Sequence, residues 1–364
     1  MTQVLHEIRH NKLLWLLIFV PVLFASEHAL ADTPTALFLL SVLAIIPLAA
    51  LLARATESVA AQIGDALGGL LNATLGNLTE LVIAITALSA GQYTLVKASI
   101  AGAIVTNTLF MLGGSFLLGG LRHHAQEFNK SGTRLQSMLL FLAVIALLIP
   151  SAVGQVEGNA AFTQGLSLGL SLILIATYGL GMVFSLGSHK AEFTAVASHD
   201  GAAADDEEHW PMLTSLVTLG LVTVGVALVS EVFVGSVQEA AATLGLSPAF
   251  VGFIVVSLVG AAAEMTAAFS AARKDRLDLA VGIALGSAAQ IALFVTPVLV
   301  LLSYVVGPAP MTLEFWPGAI VMMFLATMTA TMLTAGGRSA WFVGVMILMV
   351  YAVFALTLYL MPPL

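Results

Sequence analysis

Two glutamates lie within long apolar stretches of the chain, where acidic side chains are uncommon. Glu80 stands four residues after Gly76, and Glu264 stands four residues after Gly260. A carboxylate placed deep in a bilayer costs several kcal/mol unless it is protonated, paired or bound to a cation. The two glutamates are therefore the first candidates for an ion-binding site; a structural carboxylate hydrogen-bonded between helices is the alternative.

The chemistry that suits such a pair is the binding of a hard cation. Ca²⁺ takes about six to eight oxygen ligands, and the chain has no cysteine that would favour a softer metal. Because protons and Ca²⁺ compete for the same carboxylate oxygens, the pair could exchange one for the other. Further polar side chains are expected to line this metal site, with ordinary hydrogen bonding between helices as the alternative: Asn77, Thr106, Asn107, Ser287 and Gln290.

The two glutamates belong to an internal repeat with an offset of 184 residues. The offset aligns Glu80 with Glu264, Gly76 with Gly260, Gly102 with Gly286, Leu109 with Leu293 and Phe110 with Phe294. Glycine and leucine coincide often in so apolar a chain, but glutamates in the middle of apolar segments do not. The two glycines before the glutamates could each permit a helix break that exposes carbonyl oxygens, or simply allow close packing.

The composition determines what kind of molecule must position these residues. Of 364 residues, 59% are hydrophobic and 9% are charged, against about 25% charged in a soluble domain, and the mean hydropathy is +1.03. This predicts an all-α polytopic membrane protein that has the lipid bilayer as its partner. The formal net charge of −8 provides no basic surface and argues against nucleic acid.

Eleven segments are apolar and long enough to cross a bilayer, which takes roughly 20 residues per helix. They are 13–31, 35–53, 67–90, 94–121, 135–153, 163–186, 212–237, 246–272, 277–304, 312–334 and 340–361.

The predicted order of these segments is one helix plus two five-helix repeats. Residues 1–34 form a cytoplasmic N-terminus and first transmembrane helix, and 35–186 form the first repeat. A cytoplasmic acidic connector (187–211) precedes the second repeat (212–364); a solvated link is its expected role and calcium sensing the alternative. Since five is odd, the second repeat is inverted relative to the first, a plan of secondary transporters whose site lies between the halves.

Orientation follows from the basic residues, which are enriched on the cytoplasmic side of membrane proteins. With the N-terminus in the cytoplasm and the C-terminus outside, only Lys97 of the 12 lysines and arginines lies outside. A prokaryotic inner (plasma) membrane is the expected location. The first span also has features of a cleavable signal peptide, and its removal would leave the other ten spans in the same orientation.

The motifs resemble those of the calcium/proton exchanger family within the cation/Ca²⁺ exchanger superfamily. Residues 71–81 resemble its first signature, and residues 277–279 and 286–294 resemble the stretch after its second. Residues 119–122 and 126–129 also fit, and the similarity covers roughly 35–361. The resemblance implies eleven spans, proton-driven export of a cation from the cytosol, no cofactor, and a site around Glu80 and Glu264.

The second signature departs from the family pattern. The family normally has Asn after the signature Gly and His after the signature Glu, where this chain has Ala261 and Met265. Ser257 stands where the family usually has Pro. One side-chain oxygen is therefore absent from one side of the predicted site, which leaves the choice of cation open.

The combined prediction is a secondary active transporter that exchanges Ca²⁺ for protons by alternating access and exports Ca²⁺ from the cytosol. An antiporter of the same fold for Mn²⁺ or Na⁺ is the first alternative, and a passive cation channel is the second. An enzyme is disfavoured, because there is no His-Glu-x-x-His motif and no cysteine nucleophile. A homo-oligomer is compatible with the sequence. Glu231, in the seventh predicted span, could be a proton-relay group or a buried structural partner.

Overall fold

The structure is a computed structural model that describes residues 2–157, 160–185 and 210–361. The acidic connector, apart from its last two residues, lies outside these ranges, so its predicted role stays a prediction. Up to residue 185, the helices are α1 (Thr2–His10), α2 (Phe19–Ser26), α3 (Pro34–Gln62), α4 (Asp65–Leu75), α5 (Leu78–Ser89), α6 (Tyr93–Val105), α7 (Leu112–His123), α8 (Lys130–Glu157) and α9 (Ala160–Val183).

After the connector the chain is again almost entirely helical. The helices are α10 (Met212–Thr243), α11 (Pro248–Phe250), α12 (Ser257–Gly260), α13 (Ala262–Arg273), α14 (Leu277–Gln290), α15 (Thr296–Leu302), α16 (Pro317–Thr334) and α17 (Trp341–Leu360). Shorter elements are a 3₁₀ helix (Lys12–Ile18), three π-helical segments (Thr106–Met111, Val251–Val256 and Ile291–Val295) and the strands β1 (Ala125–Glu127) and β2 (Arg338–Ala340).

The chain is a helical membrane protein with eight long apolar helices among the described residues, or nine when one bent pair is counted as a span. The bent pair is Pro248–Gly260 with Ala262–Arg273, which meet at 59°. Two further apolar helices, Lys12–Ser26 and Leu78–Ser89, are shorter. The predicted span 67–90 is not one continuous helix, because the chain leaves helical geometry at Asn77, where φ is −100° and ψ is 28°.

Two spans form the centre of the molecule. In Tyr93–His123, 83% of the apolar window is buried inside the protein, and in Leu277–Leu302 the share is 67%. Each contains a π-helical segment, Thr106–Met111 in the first and Ile291–Val295 in the second. Such π-helical turns are frequent at functional sites, and these two lie at closely matching places when the chain is compared with itself at the repeat offset.

The long helices α3 and α10 pack against each other beside this centre. The rings of Phe38 and Phe233 stack with their centroids 5.4 Å apart, and a Cβ atom added at Gly225 would lie 3.6 Å from Leu48 Cδ2. At one end of the bundle β1 pairs with β2 in antiparallel register, with Gln126 opposite Ser339. At the other end, the chain turns at Gly91 between α5 and α6, with a positive φ of 71° that glycine adopts without strain.

Candidate functional site

Each glutamate lies in the first turn of a helix that begins at a break. Asn77 (φ −100°, ψ 28°) separates α4 from α5, and Ala261 (φ −78°, ψ 4°) separates α12 from α13. Glu80 and Glu264 are the third residues of α5 and α13. The first turn of a helix has free backbone N–H groups and the positive end of the helix dipole, which favour a negative charge there.

The two carboxyl groups lie close enough for their charges to interact, at the boundary between the halves of the chain. Glu80 crosses to the second half and packs on Gly260, where a Cβ atom would stand 2.9 Å from Glu80 Cγ and 3.3 Å from Oε1. Glu264 interacts electrostatically with Glu80 and with Ser287. Glu80 Oε1 and Glu264 Oε2 are both buried and have no hydrogen-bond partner. Buried acceptors without partners are costly, so these oxygens are ready to accept a proton or a cation.

A chain of hydrogen bonds holds four of the predicted site residues together. Asn107 Nδ2 donates to Ser287 Oγ (2.9 Å), Ser287 Oγ donates to Asn77 Oδ1 (2.8 Å), and Asn77 Nδ2 donates to Gln290 Oε1 (2.6 Å). Asn107 Oδ1 is a further buried oxygen without a partner. The chain of bonds alternates between the two halves, so it fixes the first helix break against α14.

Thr106 does not join this chain of bonds. Its hydroxyl lies 2.9 Å from Ser257 Oγ and 3.4 Å from the hydroxyl of Tyr351. Thr106 and Asn107 are adjacent in a π-helical segment, but Thr106 bonds to Ser257 and Asn107 bonds to Ser287. The polar side chains predicted to line one site therefore form two groups, one around Asn77 and one around Ser257.

A small cavity of about 20 Å³ lies beside Glu80, and its wall includes residues outside the predicted site. It is lined by Glu80, Ser99, Ser257 and Gly260 together with apolar side chains. Ser257 is buried, with 2% of its surface exposed. The serine at position 257, where the family usually has Pro, was the sequence feature that could have pointed to this residue. Ser99 has no such feature, because a serine within an apolar helix is ordinary.

No group of three or more His, Cys, Asp or Glu side chains that could hold a metal occurs within residues 2–157, 160–185 and 210–361. A cation at this site would therefore be held by the two carboxylates and by neutral oxygens. Glu231 is exposed on α10, so the prediction of a buried structural partner is wrong for this residue; sequence alone does not tell which face of an apolar helix points outward.

The chain matches a known family along most of its length. The family described as "Sodium/calcium exchanger protein" matches residues 33–187 and 214–360. The Ca(2+)/H(+) antiporter of Synechocystis is 38% identical, over 96% of this chain and 97% of the relative. The Ca(2+)/H(+) antiporter ChaA of Bacillus subtilis is 36% identical, over 96% of this chain and 100% of the relative.

Solved structures agree with these relatives. Native YfkE has a TM-score of 0.82 and 35% identity, covering 96% of this chain and 100% of YfkE. The H+/Ca2+ exchanger CAX has a TM-score of 0.68 at 14% identity, over 95% of this chain and 92% of CAX, which shows a shared fold. The chain belongs to the calcium/proton exchangers of the sodium/calcium exchanger family.

Proposed function

We propose that this protein is a secondary transporter that exchanges Ca²⁺ for protons across a membrane and exports Ca²⁺ from the cytosol. One observation carries the proposal: two buried carboxylate oxygens without partners, Glu80 Oε1 and Glu264 Oε2, lie at facing helix breaks in the core of the protein. Either a cation or protons can satisfy these oxygens, and occupancy by one excludes the other. The relatives named as Ca(2+)/H(+) antiporters support the same pair of substrates.

In this proposal the two glutamates are the charged ligands and the neutral oxygens complete the shell. Asn77, Asn107, Ser287 and Gln290 form the hydrogen-bonded group that positions the first break, and Asn107 Oδ1 is available as a ligand. Thr106 bonds to Ser257, which lines the cavity beside Glu80. Binding and release on alternate sides follow from movement of one half against the other.

The architecture that we propose is one helix followed by two inverted five-helix repeats, eleven spans in total. It counts the short apolar helices Lys12–Ser26 and Leu78–Ser89 as spans beside the longer ones. Contacts at the two ends of the bundle support spans that cross the membrane in alternating directions. Gln126 and Ser339, both predicted to be cytoplasmic, pair through β1 and β2, and Tyr93 and Ala309, both predicted to be outside, share two hydrogen bonds. The N-terminus is then cytoplasmic, in a prokaryotic plasma membrane.

Flux in proteoliposomes tests the function. Vesicles with an imposed pH gradient should move ⁴⁵Ca²⁺ against its concentration gradient, and a protonophore should stop this movement. Glu80→Ala and Glu264→Ala should each reduce the flux to that of empty vesicles, because each removes one of the two charged ligands. Glu239→Ala, which removes an exposed glutamate of α10 that has no assigned role, is the matched control and should keep wild-type flux. Robust transport by either core variant would refute the assignment.

A cation other than Ca²⁺ is a second candidate because of Ala261. The second break offers no side-chain oxygen at the position where the first break has Asn77, and fewer ligands suit a cation that needs fewer than Ca²⁺ does. Competition of Mn²⁺ and Na⁺ with ⁴⁵Ca²⁺ in the same vesicles distinguishes the two candidates. Half-maximal inhibition by Mn²⁺ below the half-saturating Ca²⁺ concentration would favour a manganese exchanger.

A further inference from the structure

The small cavity beside Glu80 has a side-chain oxygen from each half of the repeat at its wall. The first half contributes Glu80, and the second contributes Ser257, next to the backbone of Gly260. The cavity of about 20 Å³ exceeds the roughly 10–15 Å³ that holds one water molecule. It therefore has room for a single water or a dehydrated cation but not for a hydrated one.

The two helix breaks carry their neutral side-chain oxygens at different positions. In the first half Asn77 provides an oxygen at the break, and the residue four positions earlier is Ala73. In the second half the residue at the break is Ala261, and the residue four positions earlier is Ser257. Ala261 N donates to Ser257 O (3.1 Å), so residues 257 and 261 are successive positions on one helix face. The neutral side-chain oxygen of the second half therefore lies one helical turn before the break, whereas that of the first half lies at the break.

The hydroxyl of Ser257 is oriented by its neighbours and retains a free lone pair. It donates to the carbonyl oxygen of Phe253 and lies 2.9 Å from Thr106 Oγ1. A serine hydroxyl has one proton and two lone pairs. When Thr106 donates to Ser257, one lone pair remains for a ligand in the cavity. Ser99, the other hydroxyl of the cavity wall, bonds only to Val96 O in its own helix.

We propose that Ser257 Oγ is a ligand for the transported cation beside Glu80, and that it determines cation specificity in place of the oxygen absent at Ala261. This inference rests on the proposed function and adds a residue to its site. A hydroxyl is a hard, neutral donor that suits Ca²⁺, whereas a thiol at the same position suits soft metals. The atom at position 257 should therefore decide which cations compete for the site.

The absence of cysteine from the chain allows a sharp test with Ser257→Cys, a substitution of nearly equal size. In ⁴⁵Ca²⁺ uptake, this variant should need about tenfold more Ca²⁺ for half-saturation, the lower end of the losses seen when a metal-site contact is removed. Cd²⁺ should inhibit its uptake at least about tenfold more strongly than it inhibits wild type. Ser115→Cys, a buried serine that bonds only to its own helix, is the matched control and should keep wild-type sensitivity to Cd²⁺.

A second readout separates this inference from the proposed function. Stabilisation of the detergent-solubilised protein against heat by Ca²⁺ reports binding without transport, and Ser257→Ala should need about tenfold more Ca²⁺ for it. Adding Ala261→Asn to Ser257→Ala should recover much of this loss by restoring an oxygen one turn away. If wild type fails to exchange Ca²⁺ for protons, the proposed function is wrong. If wild type exchanges them but Ser257→Cys gains no Cd²⁺ sensitivity, or Ser99→Cys gains as much, only the assignment of Ser257 is overturned.

Discussion

The breaks before Glu80 and before Glu264 have similar backbone geometry but different surroundings. Both place a glutamate in the first turn of the following helix. At the first break Asn77 bonds to Ser287 and to Gln290. At the second break Ala261 has no polar side-chain atom, and the preceding residue, Gly260, packs closely on Glu80. Local helix geometry therefore repeats with the sequence pattern, whereas the polar side chains around each break do not.

This asymmetry makes the two glutamates unequal partners. Glu80 lies against the backbone of the opposite half, so its position depends on the absence of a side chain at residue 260. Glu264 lies near Ser287, a member of the hydrogen-bonded group around Asn77. The effects of variants at the two breaks should therefore differ in magnitude and in kind.

Gly260→Ala should have the largest effect. The new methyl group would stand 2.9 Å from Glu80 Cγ, and overpacking of this kind costs about 1–3 kcal/mol. We expect the half-saturating Ca²⁺ concentration for ⁴⁵Ca²⁺ uptake to rise roughly 5- to 150-fold, because the carboxylate must move to relieve the contact. Gly220→Ala, where a methyl group would meet no atom within 4 Å, is the control. Unchanged half-saturation in Gly260→Ala would show that the close approach has no role in placing Glu80.

Asn77→Ala should have an intermediate effect that falls on stability as well as on binding. It removes two hydrogen bonds, so that the hydroxyl proton of Ser287 loses its acceptor and Gln290 Oε1 loses its donor, at a cost of about 1–3 kcal/mol for each unsatisfied group. We expect a lower melting temperature without Ca²⁺ and roughly tenfold weaker stabilisation by Ca²⁺. Thr108→Val is the control, because this buried threonine bonds only to carbonyl oxygens of its own helix. Equal losses in both variants would contradict a special role for Asn77.

Tyr351→Phe should have the smallest effect. The tyrosine hydroxyl lies 3.4 Å from Thr106 Oγ1, a long distance for a hydrogen bond between hydroxyls, whereas its ring packs on Phe110 with centroids 5.1 Å apart. Phenylalanine keeps the ring contact and loses only the weak bond. We expect Ca²⁺ half-saturation within about twofold of wild type. A tenfold change would mean that the hydroxyls around Ser257 extend to Tyr351 and that the second break has a polar network of its own.

Much of the site was predictable from residue type and spacing. The glutamates, the glycines before them and the repeat offset are visible because each is rare or costly in an apolar segment. The partners of these residues were not predictable. Asn77 and Gln290 are 213 positions apart, and only the packing of α5 against the second half brings them together. Nothing in the sequence predicts that Ser99 lines the cavity. Nor does it predict that Thr106 bonds to Ser257 while the adjacent Asn107 bonds to Ser287.

The amino-acid sequence alone establishes that the chain is helical and membrane-embedded and that two carboxylates lie within apolar segments. These properties depend on composition and on local backbone preferences, which neighbouring residues set. Packing of the helices sets which oxygens lie near the carboxylates, which face of α10 carries Glu231 outward, and that Glu80 packs on Gly260. Those outcomes depend on contacts between residues far apart in the chain, and apolar helices of similar composition do not encode in their own pattern which of their faces will meet.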